Sequence, residues 1–207
     1  KQYGVSMKTP YEELPVEVQN AILYGTGKEK LHIAYKKEFG SGSFDAPFEG
    51  SFTVVGNFPY NISTQIVFKV LEWKEQVPVM IGMFQKEVAE RLVAGPGSKT
   101  YGILSVFLNT YYKTSYEFTV GPELFTPPPK VQTGVIKATR IDGYVLPCSR
   151  TLFFDVVKTA FNQRRKTLRN ALHKFNLQES HEFAKLRAEQ LSHHDFIKLT
   201  QFLEQSQ

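Results

Sequence analysis

The tetrapeptide Asn57-Phe58-Pro59-Tyr60 stands directly after a short apolar run rich in β-branched residues, Phe52-Thr53-Val54-Val55-Gly56. A run of that kind reads as a buried parallel strand, and ligands in open α/β sheets bind at the carboxyl ends of strands. The residue types suit one task, methylation of an exocyclic amine on a nucleic-acid base. The lone pair of such a nitrogen is delocalised into the ring, which makes it a poor nucleophile. The side-chain oxygen of Asn57 and the backbone carbonyl of Phe58 can both accept its hydrogens, which favours a pyramidal nitrogen with its lone pair aimed outward. Pro59 fixes the bend of the chain, and Tyr60 offers a flat face to an extruded base. A strand-end turn with a buried tyrosine would use the same residue types, and the apolar strand in front favours the functional reading.

Other residues that could carry chemistry are less informative. Gly25-Thr26-Gly27-Lys28 lacks the spacing that wraps backbone amides round a phosphate, and Glu29 stands where a magnesium-binding hydroxyl belongs. His193-His194 has no partners at ligand spacing, so no metal site is expected. The one cysteine, Cys148, excludes an internal disulfide and fits a reducing cytoplasm. Between Lys158 and Lys174 there are six basic residues and no acidic one. That run is either the footprint of a polyanion or a solvated helix face.

These groups need a scaffold, and the chain is long enough to supply one. Its 207 residues are 42% apolar and 22% charged, with a net charge of +5, which excludes disordered and fibrous architectures. No apolar run approaches the ~20 residues needed to span a bilayer. The first fifty residues predict a short helix over 16–23, a half-buried strand at Leu31 to Lys37 and a Gly/Ser-rich loop over 39–50. From Ser51 the pattern becomes α/β. Strands are expected at Phe52 to Gly56, Val79 to Phe84, Tyr116 to Val120 and Gly134 to Arg140. Helices are expected at Thr64 to Trp73, Lys86 to Val93 and Tyr101 to Tyr112, the last with a strand as the alternative because of its aromatic content. Beyond Asp142 the chain reads as helical, at Arg150 to Phe161, Gln163 to His173 and Ser192 to Glu204.

Asn57-Phe58-Pro59-Tyr60-Asn61-Ile62-Ser63 resembles the adenine-N6 methyltransferase motif of the ribosomal RNA dimethyltransferases, the KsgA type with the Erm-type resistance enzymes as relatives. Further blocks resemble the same family in order: Gln85 to Leu92, Gly95 to Val106, Phe125-Thr126-Pro127-Pro128-Pro129-Lys130-Val131, Phe161 to Asn170 and Arg187 to Ser192. The resemblance covers the chain from about residue 51 onward. It implies an α/β fold, a truncated Rossmann-like methyltransferase sheet followed by a small all-helical C-terminal domain. The implied divisions are 51–142 for the C-terminal half of the catalytic domain and 143–207 for a helical RNA-binding domain. It implies S-adenosylmethionine as methyl donor, small-subunit ribosomal RNA or a pre-30S particle as partner, no metal, no membrane and a cytoplasmic location.

Carried over residue by residue, the resemblance gives Asn57 contact with both the methyl donor and the target amine. Phe58 supplies the second acceptor, Pro59 the bend, and Tyr60 and Phe125 the two faces that hold the adenine. Lys86, Lys130, Arg164, Arg165, Lys166 and Arg169 would grip RNA. The family's donor-binding glycine loop and its acidic partners are not matched. In their place, residues 1–50 resemble a stretch of the excinuclease A subunit, at Tyr11 to Pro15, Leu23 to Glu29 and Phe48 to Gly50, as a fusion would. The expectation is therefore a ribosomal RNA dimethyltransferase impaired in this chain. A binding-only RNA fragment and, last, a DNA-repair module are the alternatives. In the family the strand order is 3-2-1-4-5-7-6, of which only 4, 5, 7 and 6 are matched. The Phe52 to Gly56 strand then becomes an edge, and Leu31 to Lys37 is expected to cover it, in cis or by exchange in a homodimer.

Overall fold

The computed structural model describes residues 13, 15–24, 30–37, 40–47 and 50–206. Helix α1 (Val16–Tyr24) is followed by strands β1 (Lys30–Lys37) and β2 (Gly40–Pro47). Then come β3 (Val54–Asn57), α2 (Ser63–Glu72), β4 (Val79–Gln85), α3 (Lys86–Val93), α4 (Ile103–Tyr111), β5 (Tyr112–Val120) and β6 (Thr133–Arg140). Helices α5 (Arg150–Asn162), α6 (Leu168–Ala171) and α7 (His193–Gln205) complete the chain.

Four strands form the main sheet in the order β3-β4-β6-β5. Strand β3 runs parallel to β4, whereas β6 is antiparallel to both β4 and β5. This is the 4-5-7-6 order expected from the sequence. The α2 crossover between β3 and β4 buries Val67, Val70 and Leu71 against the sheet, as its 3.6-residue apolar spacing requires. Strand β4 is hemmed in on both sides by neighbours. Its residues alternate between half-buried and buried, with Met80 and Phe84 fully inside.

Two expectations about the first fifty residues are corrected. Residues 40–47, read as a loop because of their glycines and serines, form strand β2. Strand β1 takes β2 as its partner, Lys30 opposite Pro47 through Lys37 opposite Gly40, rather than the β3 edge. The nearer partner wins because closing a very short connection costs far less chain entropy than closing a longer one. Among the described residues β3 is paired on one side only, and Val55 is 69% exposed. The parts of the proposed excinuclease resemblance at Tyr11, Glu12, Leu14, Gly25 to Glu29, Phe48 and Glu49 lie outside the described residues.

Further on, the boundaries shift by a few residues. Residues 103–111 form the expected helix α4, and strand β5 begins at Tyr112, four residues before the expected start at Tyr116, with a bulge between Tyr116 and Phe118. The larger correction concerns residues 163–173. No continuous helix forms there. Arg164, Arg165 and Lys166 sit in turns closed by Arg164 N–H to Phe161 O (3.2 Å) and Lys166 N–H to Gln163 O (2.8 Å). Leu168 N–H and Arg169 N–H then donate to Leu186 O and Ala184 O, at 2.7 and 3.0 Å. Long-range backbone partners thus replace the helical ones, and the basic residues do not share one helix face.

The apolar core is continuous across the chain from β3 to α7. Helix α4 is its shared wall: Phe107 packs on Phe153 and stacks face to face on Phe154, centroids 3.9 Å apart at 15°. Phe161 meets Tyr101 on one side and Phe196 on the other, at 5.9 and 5.8 Å.

Helix α7 starts with a reciprocal cap. Ser192 Oγ accepts from Asp195 N–H (3.2 Å), and Asp195 Oδ2 accepts from Ser192 N–H (3.0 Å). His193, next in line, has its imidazole pKa lowered to about 4, by burial first and by neighbouring His194 second, with Asp195 opposing. Its position in the first turn of a helix also disfavours a cation. The unfolded chain therefore binds this proton before the folded one. The contribution is intact above the ordinary histidine value near 6.5 and is lost as pH falls toward 4. The melting temperature of the wild type is expected to fall more steeply between pH 7 and 4.5 than that of His193→Gln, measured by circular dichroism. Parallel curves would refute it.

Candidate active site

Strand β3 delivers Asn57 to its carboxyl end, where Phe58 N–H still donates to Met83 O of β4 (3.2 Å). Successive strand residues point to opposite faces. Asn57 accordingly stands exposed, whereas the Phe58 ring turns inward and is only 8% exposed. That ring packs edge-on against Phe84, centroids 5.2 Å apart at 67°. Its floor is made of two glycines that lie opposite each other in the β3–β4 register, Gly56 and Gly82. A Cβ at Gly82 would fall 2.3 Å from Phe58 Cε2 and 2.7 Å from Phe84 Cε2, and one at Gly56 would fall 3.0 Å from Phe58 Cε1. Glycine inside a strand marks such close approaches. The glycine that interrupts the apolar run Val79-Met80-Ile81-Gly82-Met83-Phe84 is the sequence signal of this close approach.

Beyond Phe58 the chain bends at Pro59 into the first turn of α2. Ile62 N–H donates to Pro59 O (3.1 Å), and Ser63 Oγ donates to Tyr60 O (3.2 Å). The Tyr60 hydroxyl lies 2.6 Å from Thr133 Oγ1, at the first residue of β6. Phe125 arrives from the loop between β5 and β6, where its N–H donates to Pro122 O (3.2 Å). Asn57, Phe58, Pro59, Tyr60, Phe125 and Pro127 line one cleft of about 360 Å³. The structure therefore brings together residues that are 68 positions apart in the chain. A cleft with an exposed amide at its end and aromatic rings along its walls can hold a flat base with its amine toward Asn57.

The basic residues are scattered. Lys86 Nζ donates to Gln132 Oε1 (2.9 Å) at the head of α3, and Lys130 is exposed in the Phe125 loop. Arg165 and Lys166 are exposed, and Arg169 pairs with Glu179 at 2.8 Å. Arg164 is committed inward. Its guanidinium donates to Lys99 O (3.1 Å) and Ser98 O (3.2 Å) and faces Glu189 at 3.6 Å. With Gly97 N–H donating to Glu189 O (2.7 Å), this arginine ties the 95–100 loop to the C-terminal helices. Among the described residues no group of three histidine, cysteine, aspartate or glutamate side chains could hold a metal ion. No helix among them is long and apolar enough to cross a membrane.

The comparison with known families decides what this site belongs to. A model of the family described as "Ribosomal RNA adenine dimethylase" matches residues 18–205. The chain belongs to the ribosomal RNA adenine dimethylase family. A "Ribosomal RNA small subunit methyltransferase A" of Flavobacterium johnsoniae is 59% identical over 157 residues, 74% of this chain and 60% of that protein. The protein of the same description from Porphyromonas gingivalis is 46% identical over 207 residues, 98% of this chain and 76% of that one. The chain spans about 60% of the length of the first of these relatives and of its Parabacteroides distasonis counterpart. Among solved structures, a dimethyladenosine transferase from Plasmodium falciparum superposes with a TM-score of 0.65 at 22% identity, covering 74% of this chain and 66% of that one. The 23S rRNA methyltransferase ErmE gives 0.52 at 19%, covering 73% and 66%. Both show the methyltransferase fold. The family match begins at residue 18 and the P. gingivalis similarity runs through nearly the whole chain. The comparisons thus give the excinuclease fusion no support.

Proposed function

We propose that the Asn57–Tyr60 cleft receives an adenine of small-subunit ribosomal RNA for N6-dimethylation, within a pre-30S particle and in the cytoplasm. The observation that carries this is the single cleft in which the exposed Asn57 amide meets Tyr60 and Phe125. Asn57 Oδ1 and the Phe58 carbonyl accept the two hydrogens of the N6 amine and hold its nitrogen pyramidal. Tyr60 and Phe125 stack on the two faces of the base. Residues 51–142 form the base-holding half, and residues 143–207 the helical part that contacts RNA.

The family's reaction draws on S-adenosylmethionine, which supplies an electrophilic methyl group when bound. The residues of this cleft do not fit that group. Among the described residues its lining is amide, aromatic ring, threonine and proline, with no carboxylate for the donor's ribose and no glycine-rich turn for its methionine part. Among the described residues of the cleft, Asn57 is the one the family resemblance places against the donor. Methyl transfer by this chain is therefore proposed to be impaired, and base binding to be retained. Catalysis-free RNA binding is the second reading.

The test is anisotropy titration of an RNA oligonucleotide with two adjacent adenosines, unmodified and N6-dimethylated. The unmodified RNA should bind at least roughly five-fold tighter, the low end for two hydrogen bonds, because a dimethylated nitrogen has no hydrogen for either acceptor. Equal affinities would overturn the reading.

Arg164 and Arg165 make separate predictions. Arg165→Glu should flatten the dependence of RNA affinity on salt by roughly one phosphate contact and leave melting unchanged. Arg164→Glu should instead lower the melting temperature, since it leaves the Ser98 and Lys99 carbonyls without their donor and sets a carboxylate against Glu189. Identical behaviour of the two variants in both assays would contradict this division.

A further inference from the structure

Thr133 does no work in the reaction described above, and it is 73 residues from Tyr60 in the chain. It is nonetheless fully buried, which is unusual for a hydroxyl placed beside an open cleft. Its backbone is fixed by the sheet, opposite Gln85 of β4 and Val120 of β5. The preceding carbonyl, of Gln132, accepts from Lys86 N–H at 2.9 Å. The Thr133 side chain is thus a fixed point, and it is the one polar group that the structure places against the Tyr60 hydroxyl, at 2.6 Å.

The near end of Tyr60 is held by the Pro59–Ser63 turn, which fixes its backbone. Nothing in that turn holds the ring. A tyrosine on a strand-end bend can occupy more than one χ1 well, and in the conformation seen here it lines the cleft. A hydrogen bond at the hydroxyl, which lies on the long axis of the ring, pins the far end and so selects that well. Thr133 also begins the strand that follows the Phe125 loop, so the bond couples the position of one cleft wall to the base of the other.

We infer that Thr133 is a positioning residue for base capture, with its hydroxyl holding the Tyr60 ring in the orientation that stacks on the target adenine. The inference rests on the proposed role of Tyr60 as a stacking platform. In the resting protein the Tyr60–Thr133 bond keeps the ring ready, so the incoming base does not have to order it. Pre-organisation of this kind raises affinity for the base without adding a contact to it.

The test uses the whole chain and two fluorescein-labelled single-stranded RNA probes, one carrying adenine and one an abasic site at the same position. The ratio of their affinities isolates the base contribution, because the phosphate contacts are common to both. In the wild type the ratio should lie between roughly 5 and 150, the range for stacking of one base. Tyr60→Ala should lower it by the largest factor of these variants, at least about five-fold, and leave the share held by Phe125 and Asn57. Thr133→Val, which keeps the branched shape and deletes the hydroxyl, should lower it about three- to five-fold. Thr133→Ser should restore it. Tyr60→Phe removes the same bond from the other end and keeps the stacking face, so it should match Thr133→Val. The double variant should then be no worse than either single one. A Thr133→Val ratio equal to wild type, with the Tyr60→Ala ratio lowered, overturns the inference and leaves the stacking role standing. A wild-type ratio of one, or a Tyr60→Ala ratio equal to wild type, overturns the stacking role and the inference with it. Melting curves complete the test. If Thr133→Val melts lower while its ratio and that of Tyr60→Phe stay at the wild-type value, the residue serves the fold alone and the inference fails.

Discussion

Asn57→Ala is expected to remove the preference for unmodified over dimethylated RNA and to reduce any methyl transfer by the protein at least about 100-fold, the usual cost of losing one positioned polar group in a reacting site. The melting temperature should not change. Asn57 is exposed at the end of β3, has no side-chain hydrogen bond within the described residues and fills no core volume. The amide is thus available to a ligand, and its removal leaves no buried group without a partner. Asn57→Asp separates the acceptor role from the amide itself, because it keeps the shape and an accepting oxygen at the same place. It should retain more of the preference for unmodified RNA than Ala does. Methyl-transfer counting on unmethylated small-subunit RNA and anisotropy with the paired oligonucleotides check both variants. Full activity in Asn57→Ala would remove this residue from the site.

The parts of this molecule legible in the sequence are those set by local pattern. Helices α2, α3, α5 and α7 and strands β4 and β6 fall within two residues of their expected limits, since each has a strong apolar period and a clear stop. The sheet order followed from the family resemblance, because four matched strands that are contiguous in the family remain contiguous here. Long-range backbone pairing was not legible. The 163–173 segment looked helical by composition, but Leu186 and Ala184 carbonyls compete for its N–H groups. Residues 40–47 looked like a loop, but the neighbouring strand supplies a ladder that asks nothing of their side chains. Within the site, Asn57, Tyr60 and Phe125 were legible as residue types, and the cleft puts them together. Thr133 was invisible, since a threonine at the start of a strand carries no sign of a partner 73 residues away. Arg164 has a second role that the sequence does not show. A basic run suggests a solvated or RNA-facing surface, and only the three-dimensional path of the 95–100 loop reveals that its guanidinium serves two carbonyls of the protein itself.

Gly82→Ala should be the most destabilising single-carbon addition at this site. The new Cβ would stand 2.3 Å from Phe58 and 2.7 Å from Phe84, well inside contact distance. Neither ring can swing into solvent cheaply. Phe84 is fully buried, Phe58 is 8% exposed, and the two pack against each other. Close-packed interiors respond to such insertion by shifting backbone, at about 1–3 kcal/mol. The loss of unfolded-chain entropy on replacing glycine by alanine offsets about 0.4–1 kcal/mol of this. The net effect is a melting temperature lower by roughly 2–8 °C for a chain of this size. The shift has a functional consequence because Phe58 also carries the second amine acceptor. A displaced Phe58 ring moves its carbonyl and the neighbouring Asn57, so the preference for unmodified RNA should fall together with stability. Two comparisons make the assignment specific. Gly95→Ala places a Cβ with nothing within 4 Å, so it should leave the preference for unmodified RNA unchanged and raise the melting temperature slightly. Phe58→Leu shortens the ring that is struck, so combining it with Gly82→Ala should cost less than the sum of the two single changes. Strict additivity in a double-mutant cycle would show that the glycine floor and the Phe58 ring act independently, contrary to the packing.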